Sequence, residues 1–171
     1  MLAQSPSQTI IISSPDKLID QSMKKFGQKN FIGALEDLNQ AIKVNPKYAK
    51  SYNGRGVVKT ALKDWKGAMI DYNKAIALDP KFARAYSNRG SLKVYQNDFN
   101  SASKDFDSAL SLDSNLAEAY YNRAVMLGKL GKKDAGIKDI EKAAQLYESQ
   151  GDKDSARQMQ EIIKRFNRAR V

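Results

Sequence analysis

Neither cysteine nor histidine occurs in this chain of 171 residues. Disulfides and thiol nucleophiles are thereby excluded. With histidine missing as well, so are nearly all zinc sites and the commonest general base. A cysteine-free chain is at home in cytosol, periplasm or an organelle lumen, so this absence does not set the compartment. Long apolar runs are missing too. The longest stretch of large aliphatics near the N-terminus is Ile10-Ile11-Ile12, against the ~20 residues that a membrane-spanning helix needs. A glycine-rich phosphate loop is absent, since Gly54-Arg55-Gly56 falls inside a helical pattern. No cofactor and no metal are expected, and an enzyme is not expected either. Acids are outnumbered, with 19 Asp and Glu against 29 Lys and Arg and a net charge of +10. Most of the cations are scattered with acids between them, which serves solubility. The exception is 164–170, which carries four positive charges and no negative one. A basic balance suits an acidic protein, nucleic acid or an anionic surface.

What the chain does have is a repeat. Tyr52, Tyr86 and Tyr120 stand 34 residues apart, as do Arg55, Arg89 and Arg123. The same interval separates Asp37, Asp71, Asp105 and Asp139, and also Ala41, Ala75, Ala109 and Ala143. Several residue classes held in one register define four units, 15–48, 49–82, 83–116 and 117–150. Within each unit, apolar residues recur at steps of three and four, the signature of two amphipathic helices. Asn45-Pro46 and Asp79-Pro80 end helices, because the residue before proline is pushed out of the helical region. Small residues fall where helix axes must approach: Gly56, Gly90 and Ala124 at the eighth position, with Ser22 a poorer match, and Ala34, Ala68, Ala102 and Gly136 at the twentieth. Leu38, Tyr72 and Phe106 are expected to fill the layer between helices. The flanks are irregular. Residues 1–14 are expected to form a disordered arm, ending on the helix start Ser14-Pro15-Asp16. Residues 151–171 are expected to form a capping helix with a basic tail, its stripe of Ala156, Met159, Ile162, Ile163 and Phe166 covering the last exposed face.

This pattern resembles the tetratricopeptide-repeat (TPR) family over 15–150. The resemblance implies an all-α fold: an α–α superhelix, or solenoid, of four helix–turn–helix units plus the C-terminal cap. The Tyr-x-Asn-Arg motif of the first helix and the Ala-x-x-Asp-Tyr motif of the second are similar to TPR proteins of bacterial and plastid type, some of which help to assemble complexes. Three departures stand out: Lys25 where an aromatic is usual, Ser114 in place of proline, and Lys133 where an aromatic is common. The outer units are expected to be the weaker ones.

The repeated Arg and Asp admit two readings, an anion-binding ladder or ion pairs tying helix to helix. A charge repeated with its counter-ion favours the internal pair. Sequence leaves open whether the partner lies in the same unit or the next. Family geometry implies that the first helix of each unit lines a concave surface. The residues placed there are Lys50, Asn53 and Val57, then Arg84, Ser87, Asn88, Ser91 and Tyr95, then Tyr121, Asn122 and Val125. Aromatics and amides with little charge suit an extended peptide or a helix of another protein. Arg84 and Tyr121 are the expected anchors, and the net charge points to an acidic partner or a carboxylate. One TPR subfamily clamps the terminal carboxylate of heat-shock chaperones. At its clamp positions, framed on the second to fourth units, this chain has Asn53, Val57, Asn88, Glu118 and Asn122, of which Asn88 alone matches; framed on the first to third it has Ile19, Met23, Gly54, Arg84 and Asn88, of which Arg84 alone is plausible. The other class of partner, nucleic acid or an anionic surface, would engage the basic tail. The first residues lack the charged start and apolar core of a signal peptide, although Leu2-Ala3-Gln4-Ser5 is similar to the segment left after signal cleavage. The expected compartment is the cytoplasm, with export as the alternative.

Overall fold

The computed structural model describes residues 13–168. Among the described residues every element is a helix: α1 Pro15–Gly27, α2 Phe31–Val44, α3 Ala49–Ala61, α4 Trp65–Leu78, α5 Ala83–Tyr95, α6 Phe99–Leu112, α7 Ala117–Lys129, α8 Lys133–Ser149 and α9 Lys153–Arg168. Eight helices form the four expected pairs and α9 closes the array, giving an α–α solenoid. The expected arm falls almost wholly outside the described residues, as does the end of the tail. Of the arm, Ser14 is seen capping α1 by accepting from the Lys17 amide, with Pro15 in the first turn. Among the described residues no helix is long and apolar enough to cross a membrane.

Turn chemistry repeats as faithfully as the helices. Lys29, Lys63 and Asn97 adopt left-handed backbone at φ 61°, 63° and 60°, and Gly131 takes the same place at 72°. The next residue then caps the second helix: Asn30, Asp64 and Asp98 accept from the amides of Gly33, Gly67 and Ser101 at 3.0, 2.9 and 3.1 Å. In the fourth unit this position is Lys132, which makes no side-chain cap. Between units, Asn45, Asp79 and Asp113 accept from the amide two residues on. The acceptor precedes the proline position, so Ser114 closes the same turn as Pro46 and Pro80.

The core is built from small residues facing large ones. Ala34, Ala68 and Ala102 are fully buried, as are Ala41, Ala75, Ala109 and Ala143. Leu38, Tyr72 and Phe106 fill the space opposite them and are at most 2% exposed. Ser22 fits the eighth position of its unit because its buried hydroxyl donates to the Ile19 carbonyl at 2.7 Å. Helices α1, α3, α5 and α7 pack on one another in succession, whereas α2, α4, α6 and α8 are out of reach of one another. The first helices therefore form the short inner row and the second helices the long outer row, which makes the inner row concave. At the end, α9 packs on α8 through buried Ala156 and Met159.

Two substitutions of opposite sign test this packing. A Cβ added at Gly56 would lie 2.6 Å from the Tyr72 ring. Gly56→Ala should lower unfolding stability in urea by about 1–3 kcal/mol, as overpacked cores do. Ser51 is fully buried and its hydroxyl has no hydrogen-bond partner among the described residues. Ala85 and Ala119 hold the same register in the next units, also fully buried. Ser51→Ala should leave stability unchanged or raise it by up to about 1 kcal/mol; a fall of that size would contradict the burial of an unpaired hydroxyl.

Candidate functional site

The frame that holds the inner face is an ion-pair ladder. Arg55 donates through Nε and Nη2 to both oxygens of Asp71 at 2.9 and 2.7 Å. Arg89 meets Asp105 at 2.9 and 2.6 Å, and Arg123 meets Asp139 at 2.8 and 2.9 Å. Each pair joins the two helices of one unit. The third guanidinium nitrogen, Nη1, reaches back to the unit before, to Asn39, Asn73 and Asp107. Each guanidinium also lies over the tyrosine three residues earlier, 5.5 to 5.6 Å from the ring centre. Donating to the Asp71 carboxylate raises Arg55 above its ordinary value, and donating to Asp139 does the same for Arg123. These arginines are committed internally, which sets aside the anion-binding ladder. Lys59 and Lys93 add a second cation to Asp71 and Asp105, and Lys25 pairs with Asp37 in the first unit, where Gln21 stands at the arginine position, each at 2.8 Å. Within this chain Lys25 is thus the regular occupant of its position, and Leu127 of the fourth unit is the exception.

Built on this frame, the eleven residues assigned to the inner face separate into three groups. Ser91, Tyr95, Tyr121, Asn122 and Val125 come together, with Val94 and Lys129, around one cavity of about 300 Å³ between α5 and α7. The Tyr95 ring is 66% exposed and stacks on Trp65 with ring centres 5.7 Å apart. The amides form a second group that links units: Asn88 donates to Asn53 at 2.9 Å, and Asn122 donates to Ser87 at 3.2 Å. Asn53 and Ser87 are buried, so they hold α3, α5 and α7 in register from inside. Val57 packs beside them against the buried cluster of Ala68, Tyr72 and Leu92.

The charged residues form the third group. Lys50 sits apart, 3.8 Å from Asp16 and over the Tyr48 ring. Arg84 also lies away from the Tyr121 cavity. Its Nε is 2.7 Å from Glu118, in an open cleft of about 390 Å³ that Asp113, Tyr147 and Asp152 line as well. Burial raises the Tyr147 hydroxyl above its ordinary value, and the nearby Glu118 charge adds to the shift. Arg84 therefore faces carboxylates of this chain, and the two expected anchors occupy different places.

Sequence reasoning did not assign Trp65, the first residue of α4, to this face. Nor did it give the capping helix a share in the inner surface. Ile162 and Phe166 of α9 line an apolar slot of about 170 Å³ with Tyr121 and Val125, directly beside the first cavity.

Comparison with known proteins follows the same register. A model described as TPR repeat matches 58–94 and 90–131, and one described as tetratricopeptide repeat matches 117–146. Together they span over half of the chain. The chain belongs to the tetratricopeptide-repeat family. No curated protein matches it in sequence. Among solved structures it is similar to pilF of Pseudomonas aeruginosa, at a TM-score of 0.69 and 20% identity over 88% of this chain and 75% of that one. It is similar to MamA, at 0.63 and 19% over 81% of each. It is also similar to the first TPR of Spaghetti (RPAP3) bound to the HSP90 peptide SRMEEVD, at 0.62 and 24% over 69% of this chain and 94% of that one. At these identities the likeness is one of TPR fold.

The ladder makes a stability prediction. Arg89→Ala strips the bidentate partner from Asp105, whose side chain is 5% exposed, but leaves Lys93 beside it. The cost should be about 2–3 kcal/mol, below the ~3–5 kcal/mol of a fully orphaned buried charge. Adding Lys93→Ala should cost more than the two single changes summed, measured by urea unfolding in a double-mutant cycle.

Proposed function

We propose that this TPR protein is a non-enzymatic scaffold that holds an extended or helical segment of another protein along the inner face of its third and fourth units. The observation that carries this reading is the 300 Å³ cavity in which Ser91, Tyr95, Tyr121, Asn122 and Val125 converge on the concave row. Tyrosine supplies contact area with only two side-chain torsions to order. The ladder and the amide links hold the surrounding helices rigid, so little conformational freedom is lost when a partner binds. Binding of a peptide such as the HSP90 segment held by the RPAP3 domain is disfavoured. Glu118 occupies a clamp position and would repel a terminal carboxylate, and Asn53 and Asn122 are already hydrogen-bonded within the chain.

The test uses peptides selected on the full chain from a random 12-residue display library. Tyr95→Ala should weaken their binding at least tenfold, about 1.4 kcal/mol, with helical circular dichroism unchanged. Peptide binding indifferent to Tyr95→Ala would overturn the groove reading. The second reading rests on the basic tail. Duplex DNA bound with steep salt dependence, and released by truncation after residue 163, would put it in place of the first.

A further inference from the structure

The fourth unit lacks a side chain that the other three carry. At the twelfth position of their units, Phe26, Thr60 and Val94 carry side chains, whereas the fourth unit has Gly128. Val94 is 4% exposed and packs into the cluster of Phe106 and Met126. At Gly128 an added Cβ would meet nothing within 4 Å. The space left empty is the 170 Å³ slot, walled by Tyr121, Val125, Ile137, Ile140, Ile162 and Phe166. The backbone of α9 lies close to α8 and farther from α7, which it meets through side chains, Met159 in one buried cluster with Ala124, so the cap does not continue the inner row as closely as the earlier first helices do. The walls are almost wholly apolar, but the surroundings are cationic. The two segments that end at the slot, 128–134 and 161–168, carry Lys129, Lys132, Lys133, Lys164, Arg165 and Arg168 against Asp134 and Glu161. Glu161 is already paired with Lys164 at 2.9 Å.

We infer that this slot receives one large apolar side chain of a partner protein, from a segment that carries acidic residues on either side of that anchor. Size decides what enters. An apolar cavity of about 150 Å³ holds a benzene-sized group, so 170 Å³ admits a leucine or phenylalanine side chain. Ligand pockets for whole small molecules run to ~300–1,000 Å³. Charge decides what flanks the anchor: Lys133 lines the slot and Lys129 the cavity beside it, and the segments around them hold six cations against two acids, which favours carboxylates and suppresses basic partners. The slot adjoins the inner-face cavity and shares Tyr121 and Val125 with it. The inference rests on the groove reading for the path of the segment and adds its chemistry: an acidic stretch with a single apolar anchor, seated where the cap meets the fourth unit.

Peptides selected from the random 12-residue library on the full chain should be enriched in Asp and Glu around one Leu, Phe or Trp. Gly128→Leu fills the slot from a position with room for the side chain, and leucine is the better helix former. It should weaken the best selected peptide at least tenfold while the melting temperature holds or rises. Gly128→Ala should bind as the parent does. The two readings fail separately. If Tyr95→Ala weakens the peptide and Gly128→Leu does not, the slot inference falls and the groove stands. If Gly128→Leu weakens it and Tyr95→Ala does not, the slot stands without the groove. Selected peptides without acidic enrichment, or no selected peptide at all, overturn the inference. So does tight binding of phosphatidylglycerol vesicles or duplex DNA that Gly128→Leu leaves unchanged, since the rim would then serve a lipid or nucleic-acid surface.

Discussion

Everything in this molecule is registered to the guanidinium that joins Tyr, Asp and the preceding unit. One side chain performs three jobs in each of the last three units. Two nitrogens lock the first helix to the second through Asp71, Asp105 or Asp139. The remaining nitrogen reaches the outer helix of the unit before. The tyrosine one turn earlier covers the planar face. Lysine could not substitute, because a point charge cannot satisfy two carboxylate oxygens and a third acceptor in fixed directions. In a solenoid, each unit contacts only its neighbours. A link that is both intra-unit and inter-unit therefore sets the pitch of the whole array.

The ladder also explains the character of the inner face. With the strong charges committed between helices, the concave row is left with tyrosine, amide and small polar side chains. Asn53 and Asn88, and Ser87 and Asn122, spend that polarity on each other. A buried amide pair with good geometry fixes helix spacing without an unpaired charge. What remains outward at the third and fourth units is aromatic and aliphatic, and that is the part of the surface able to contribute contact energy.

Most of the fold was legible because the 34-residue interval constrains many positions at once. Helix boundaries, turns, the small-against-large core and the role of Arg with Asp all follow from identities in register. The site was legible only in part. Spacing places a residue on the inner face, but it does not say what already occupies its hydrogen-bonding groups. Asn53, Asn88 and Asn122 look like ligand-binding amides until their mutual bonds are seen, and those bonds run between residues 35 apart. Arg84 looks like an anchor until Glu118, one unit on, is found 2.7 Å away. Lys25 looked irregular only because it was judged against a family habit; Lys59 and Lys93 in the same column show the rule this chain follows.

The fourth unit is where that rule is relaxed. Leu127 replaces the second cation, Lys132 replaces the helix cap, and Gly128 and Gly136 replace larger residues of earlier units. Taken singly, each loses a small stabilising contact at an end where fraying is expected. Gly136 lets α8 approach the Ala124 carbonyl of α7 closely, whereas Gly128 leaves open the space that Ile162 and Phe166 of α9 border. Simple decay of an end repeat would leave a polar, loosely packed surface. Here the opened space is lined by Ile137, Ile140, Ile162 and Phe166, and the cap keeps Ala156 and Met159 buried. An apolar void next to a well-packed cap is the arrangement expected of a seat for another chain's side chain. The final helix is therefore both the lid of the core and one wall of the interaction surface.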